Sequence, residues 1–295
     1  MIQLLASASA TGLMLGGLYG ALAVGLSLIF GIIRVINFAH GAFLMLSMYA
    51  SFWLWYFFRI NPYLSILLVG PFFFLFGYAV QQWIIRPMFV RERALVVEPL
   101  GVLLLTAGLD LVLSNLALLF FKSDYRAVIS PLSDLTLRLG FLDLNLPRFL
   151  LFLLSFAITG GLYWILNHTQ VGIAIRSVGQ NREAAALCGV NVYRIYSLTF
   201  GLGTAALAVA GAAMTPFYYV NPSMGTALGV KSFIVVVLGG LGSIPGALLG
   251  GLILGVVESV AAQFVPATTS VIFSFLLFII VMLCRPKGLM GRLEA

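Results

Sequence analysis

The chain has 295 residues, of which 62% are hydrophobic and only 8% charged, with a mean hydropathy of +1.11 and a net charge of +7. A soluble domain carries about 25% charged residues, so this composition excludes a soluble globular protein. Runs such as Leu64–Tyr78 and Phe149–Leu166 approach the ~20 apolar residues of a bilayer-spanning helix. They lack the ~10-residue alternation of a membrane β-barrel. The expected fold is all-α: one polytopic bundle over residues 1–295 with about seven spanning helices, plus broken or re-entrant Gly-rich segments.

In chain order the expected spans are Gly12–Ile33, Gly41–Phe58, Tyr63–Ile85, Leu95–Phe121, Phe149–Leu166 and Ile195–Met214. A Gly-rich pair follows, Phe233–Leu241 and Gly246–Phe264, and then a last span, Ser270–Cys284. The N-terminal MIQLLASASATG has no basic n-region and does not read as a cleaved signal peptide. Basic residues gather at span ends in three groups: Arg86, Arg91 and Arg93; Arg176, Arg182 and Arg194; Arg285, Lys287 and Arg292. With these inside, the N-terminus is outside and the C-terminus cytoplasmic. The positive charge then reports topology. No aromatic-interleaved basic strip suggests a nucleic-acid partner; the expected surroundings are a lipid bilayer.

The loop at about 122–148 then lies outside. Alternation in Leu135–Leu144 fits either a short strand pair or a solvated loop. Cys188 and Cys284 are far apart and read as inert thiols.

Two breaks interrupt the apolar pattern. Arg34-Val35-Ile36-Asn37-Phe38-Ala39-His40-Gly41 separates the first two runs, and Gly239-Gly240-Leu241-Gly242-Ser243-Ile244-Pro245-Gly246 follows the nine-residue run Phe233–Leu241. Such a run is too short to cross a hydrocarbon core of about 30 Å. Broken backbone is tolerated there only inside protein or against water, and interrupted segments near both ends of a chain point to a transporter's substrate region. The alternative is ordinary tight turns with glycines for helix packing.

Ionisable residues in apolar runs are weighed singly, because a charge at mid-membrane costs about 2.5–3.5 kcal/mol. Asp110 lies inside Leu95–Phe121 with Ser114 and Asn115 one turn on; it either bonds a neighbouring helix or lines a path. His40 is either proton-sensitive or satisfies a freed carbonyl. Lys231 and Glu258 fall at the outer ends of the Gly-rich pair, where solvation or snorkelling suffices. No catalytic pair is visible. His40 and His168 are the two histidines, Ser243 lacks the second glycine of a nucleophile elbow, and no metal-ligand motif occurs.

The polar island Asn167–Arg194 is the coupling-loop candidate. In it, Asn181 or Gln180 can cap a helix through Glu183–Leu187, Glu183 sits in its first turn, and Gly189 stops it. Glu183-Ala184-Ala185 followed by Gly189 resembles the EAA loop of ABC-importer permeases, which implies a coupling helix of Arg182, Glu183, Ala184, Ala185 and Gly189 that docks on an ATPase. The sequence departs from that pattern at Thr199-Phe200-Gly201, where other permeases often carry an apolar residue and proline.

A closer resemblance covers nearly the whole chain. The strings from Gly16 to Gly31 (GGLYGALAVGLSLIFG), Asn37 to Gly41 (NFAHG) and Val235 to Ala247 (VVVLGGLGSIPGA) resemble permeases of branched-chain amino acid ABC importers, nearest their H-type subunit. That resemblance implies a bacterial inner-membrane importer of small hydrophobic amino acids. Its partners would be an M-type second permease, two cytoplasmic ATPases and a periplasmic substrate-binding protein. The three lysines, Lys122, Lys231 and Lys287, lie outside any P-loop context. The chain is therefore expected to be no enzyme and to hold no cofactor, with ATP and Mg bound by partner subunits. The tentative substrate path is Asn37, His40, Gly41, Asp110, Gly239, Gly240 and Gly242. Rival readings are a urea or small carboxylic acid ABC permease, and an ion-coupled secondary transporter using Asp110. An intramembrane enzyme is a further rival without a candidate nucleophile–base pair.

Overall fold

A computed structural model describes residues 2–92, 100–129, 135–139 and 142–291. Arg93, Leu95, Asp134 and Arg292 lie outside the described residues. The helices are α1 (Ile2–Ile33), α2 (His40–Phe58), α3 (Pro62–Val80) and α4 (Arg86–Glu92), the last two joined by a π-helical turn, Gln81–Ile85. Then come α5 (Leu100–Phe121), α6 (Leu146–His168), α7 (Gln170–Gln180), α8 (Arg182–Leu187) and α9 (Val192–Met214), followed by α10 (Met224–Gly239), α11 (Ile244–Ala261) and α12 (Ala267–Cys284). Seven of them are long and apolar enough to cross a membrane: α1, α2, the α3–α4 rod, α5, α6, α9 and α11. The protein is a multi-pass membrane bundle.

The helices start where short polar residues meet proline. Asn61 before Pro62, Asn145 before Pro147 and Ser243 before Pro245 each accept a first-turn N–H, from Tyr63 (3.0 Å), Arg148 (3.3 Å) and Gly246 (3.2 Å). Proline costs nothing in a first turn, where its missing N–H would be unpaired anyway.

Burial separates inner from peripheral helices. The most apolar stretch of α1 is 83% buried and that of α9 78%, against 17% for α5. So α1 and α9 form the centre, and α5 shows most of its surface to the surroundings. In lipid, apolar side chains gain little by facing one another, and close backbone approach supplies the packing. Glycine marks each major crossing. Gly12, Gly16 and Gly20 of α1 lie against Gly251 and Gly255 of α11, and Gly25 lies against Gly203 of α9. Gly77 of α3 meets Thr204 of α9, and Gly41 of α2 meets Gly225 and Gly229 of α10.

Two sequence expectations are corrected here. The run expected as Phe233–Leu241 is a sixteen-residue helix beginning at Met224, because Gly225 and Gly229 are helix-contact residues rather than breakers. At about 1.5 Å per residue it is still shorter than a full span. The first helix begins at Ile2, ten residues before Gly12. Of the two readings of the segment after α5, the strand pair is present: β1 (Thr136–Leu139) and β2 (Leu142–Asn145) pair antiparallel with Thr136 opposite Asn145. It sits at the same end of the bundle as a two-way bridge between Arg126 and Val220.

A side chain at the α1–α11 seam is expected to force the backbones apart. Gly255→Leu should lower the thermal stability of the detergent-purified protein by about 1–3 kcal/mol or more, the cost of overpacking. Gly160→Ala in α6, where an added Cβ meets nothing within 4 Å, should be neutral or stabilising by up to about 1 kcal/mol. Fluorescence-detected size-exclusion after a temperature series reads both.

Candidate functional site

Beyond the end of α6, the chain folds back over the same end of the bundle that holds both breaks. Thr169 caps α7 through the Gly172 N–H at 3.0 Å, and α7 buries Gly172, Ile175 and Val178 while Ile173, Arg176 and Gln180 face outward. Asn181 then caps α8, its Oδ1 accepting from the N–H groups of Glu183 and Ala184 at 3.0 Å each. Gly189, with φ +84°, takes the left-handed turn that ends the element. Asn191 caps α9 through the Arg194 N–H at 3.1 Å.

Of the expected coupling residues, Ala185 is the inward anchor, while Arg182, Glu183, Ala184 and Gly189 are exposed. Leu187, 90% exposed, stands out from the same short helix. Two ties join this region to the bundle. Arg34, which ends α1 with φ +57°, donates from Nη2 to the Gly179 carbonyl at 3.4 Å, and the Arg182 guanidinium lies within electrostatic reach of Tyr196 on α9. Between them lies a cleft of about 290 Å³ bounded by Arg34, Phe89, Val178, Asn181 and Tyr196.

The first break packs against α5. Asn37 Oδ1 accepts from the Ala39 N–H at 3.1 Å, and Thr106 of α5 accepts from the Phe38 N–H at 3.3 Å. His40 is buried with its Nε2 3.0 Å from the Leu22 carbonyl of α1, which is the backbone-satisfying placement. Asp110, half-buried on α5, lies within electrostatic reach of the Ala42 N–H at the start of α2. So Asn37, His40, Gly41 and Asp110 converge on one helix start. Next to them a cavity of about 10 Å³, lined by Asn37, Gln81, Thr106 and Phe200 among others, has room for one water. Asn37 Nδ2 and both Gln81 amide atoms find no hydrogen-bond partner among the described residues.

The second break forms a tight turn. Gly240 (φ +105°) and Gly242 (φ +83°) take backbone conformations closed to most side chains. Gly239 lies against Gly246, and Gly242 against Gly31 of α1. The segment after α12 covers this turn, with N–H groups of Leu289 and Met290 donating to the carbonyls of Leu238 (2.9 Å) and Gly239 (3.0 Å). The two groups of path candidates therefore flank the same end of α1 without merging into one pocket.

A third cluster is a correction. Lys231 and Glu258 do not stand apart at the outer ends of their helices. They pair across α10 and α11 at 2.7 Å, with side chains 20% and 11% exposed. Tyr19 of α1 donates to Glu258 Oε2 at 3.0 Å and accepts from Lys231 Nζ at 2.5 Å, and Ser274 of α12 donates to the same Oε2 at 3.5 Å. Two opposite charges in successive apolar helices joined by a short turn were the signal for this pairing. The sequence hides it because a run counted from Phe233 leaves Lys231 outside the helix.

Comparison with known proteins locates the chain. The family model described as branched-chain amino acid transport system / permease component matches residues 9–282. The chain is 31% identical over 301 residues to the high-affinity branched-chain amino acid transport system permease protein LivH of Salmonella typhimurium, covering 96% of this chain and 94% of that one. It is 31% identical over 296 residues, with the same coverage, to the corresponding permease protein BraD of Pseudomonas aeruginosa. With the probable branched-chain amino acid transport permease protein LivH of Methanocaldococcus jannaschii it shares 27% identity over 92% of this chain and 87% of that one. No solved structure matches. With seven helices long and apolar enough to span among the described residues and a match that takes in α8 and both breaks, the chain belongs to the family of branched-chain amino acid transport system permease components.

Proposed function

We propose that this chain is the H-type permease subunit of an ATP-driven ABC importer that carries branched-chain amino acids across the bacterial inner membrane. The observation that carries the reading is the family match over residues 9–282, which runs through α8 as well as through the bundle. In this reading an M-type permease completes the translocation path, a periplasmic binding protein delivers substrate, and two cytoplasmic ATPases bind ATP and Mg.

The charge distribution supports an N-terminus outside and a cytoplasmic C-terminus. Arg34, Arg86, Arg176, Arg182, Arg194, Arg285 and Lys287 lie at the α8 end, as expected of a cytoplasmic face. The α8 surface of Arg182, Glu183, Ala184 and Leu187 is the docking element for one ATPase, with Ala185 and Gly189 setting its shape. The Arg34–Gly179 bond between α1 and α7, and the electrostatic approach of Arg182 on α8 to Tyr196 on α9, lead to the two central helices. Displacement of α8 by the ATPase thus biases the bundle between outward-open and inward-open states. Asn37, His40, Gly41 and Asp110, together with Gly239, Gly240 and Gly242, flank the path where freed backbone groups meet the substrate.

Two measurements test this. A complex purified through this chain in mild detergent should contain a stoichiometric P-loop ATPase, and Arg182→Glu/Glu183→Lys should lose it. Asn181→Ala, which removes only the cap at a cost of about 1 kcal/mol, should retain it in large part. A wild-type chain that transports without any ATPase sinks the proposal. In proteoliposomes, uptake by Asp110→Asn should remain wholly ATP-dependent whatever its rate. Uptake that follows a proton gradient, ignores ATP and vanishes in Asp110→Asn would instead identify an ion-coupled carrier.

A further inference from the structure

The Lys231–Glu258–Tyr19 cluster lies inside the bundle. Lys231 is seven residues into α10, about 10 Å from its start, and Glu258 sits near the end of α11 facing the same space. A tie that only stabilised the fold is a poor account of it. Buried ion pairs gain little over apolar residues of similar size, and α1 and α11 are already held by glycine contacts at Gly12, Gly16, Gly251 and Gly255. Ionised groups at membrane depth are functional by default.

The geometry leaves an open position. An ammonium has three donors, and Lys231 uses two of them, on Glu258 Oε1 at 2.7 Å and the Tyr19 hydroxyl at 2.5 Å. Its side chain is 20% exposed on the face of α10 where Ala227 and Val230 are also exposed. A partly exposed charge at this depth cannot front hydrocarbon, so this face borders water or another protein chain. Phe233, two residues on and therefore on the opposite side of α10, instead contacts the exposed Phe38 of the first break at 5.7 Å between centroids.

We infer that Lys231 and Glu258 form a split receptor for the zwitterionic head group of an amino acid, with Lys231 Nζ taking the α-carboxylate and Glu258 the α-ammonium. The inference rests on the amino-acid transport reading above. In the empty site the two side chains neutralise each other. A zwitterion inserts between them without changing the net charge of the site, each end replacing one half of the pair, while the Tyr19 hydroxyl can follow either partner. An anion or a cation of the same shape leaves one protein charge uncompensated in a low-dielectric environment. Ala227 and Val230, exposed beside Lys231 on α10, offer contact to an aliphatic side chain. The site therefore selects for paired charges, which an apolar wall alone cannot do.

The test is equilibrium binding of radiolabelled leucine to the nucleotide-free complex in nanodiscs, without the soluble binding protein. Competitors are leucine, 4-methylpentanoate (no ammonium) and leucinamide (no carboxylate). In the wild type, leucine should compete at least tenfold better than either analogue. Glu258→Gln should cut the preference over 4-methylpentanoate at least tenfold, and Lys231→Met should do the same for leucinamide. Since each single variant leaves a buried charge unpaired, the neutral Lys231→Met/Glu258→Gln pair decides if the singles fail to assemble: it should assemble and bind no leucine.

Wild-type leucine affinity in that pair, or an equal loss for all three compounds in the singles, overturns the inference. So does a wild-type complex that takes up leucine yet holds none displaceably. If the wild-type complex with binding protein and ATP takes up no branched-chain amino acid, the functional reading fails instead.

Discussion

The close approach of α1 to α11 is the constraint on which this structure turns. Lipid solvates apolar side chains as well as a neighbouring helix does, so a bundle in a membrane depends on shape rather than on escape from water. Glycines four residues apart on α1 meet glycines four residues apart on α11, and the backbones touch. The opposite side of α1 does the same with α9 at Gly25 and Gly203. The first helix is thus held from both sides with little freedom to slide. It is also the helix whose end is joined to the α7–α8 loop through Arg34.

That seam fixes the chemistry above it. With α11 set against α1, the Tyr19 hydroxyl reaches Glu258, and the short turn at Gly240–Ser243 returns α10 at the register that brings Lys231 to both. The same approach places Gly31 on Gly242 and joins the Ser27 hydroxyl to the Ser243 carbonyl at 3.1 Å. One rigid helix therefore contacts the buried ion pair, both chain breaks and the surface loop. A shift of its end is felt at each of them without a separate relay.

Much of this was legible in the sequence, and the exceptions share a cause. Long apolar runs announce spans wherever lipid is the solvent, and the α8 element declares itself locally through Asn181, the alanines and Gly189. Such signals need only neighbouring residues. The start of α10 was not legible, because Gly225, Gly229 and Lys231 read as interruptions until their partners are known: Gly41 for the glycines, Glu258 and Tyr19 for the lysine. Likewise Asp110 gains its setting from the start of α2 packed near it, and Gln81 from its position in a π-helical turn facing Asn37. Residues whose role depends on a distant helix carry no local mark of it.

The seam also dictates how the protein can be made. Gly16 and its counterpart Gly251 are separated by most of the polypeptide, and at about 5–20 residues per second roughly 10–50 s of synthesis pass between them. Once in the bilayer, α1 therefore waits there with its glycine face open to lipid or to a passing helix. That face can be closed only when α11 emerges from the ribosome. Biogenesis of this subunit is thus non-local in time: a stalled or truncated chain lacking α11 leaves the Gly12–Gly16–Gly20 face of α1 uncovered even where α9 already holds its other side.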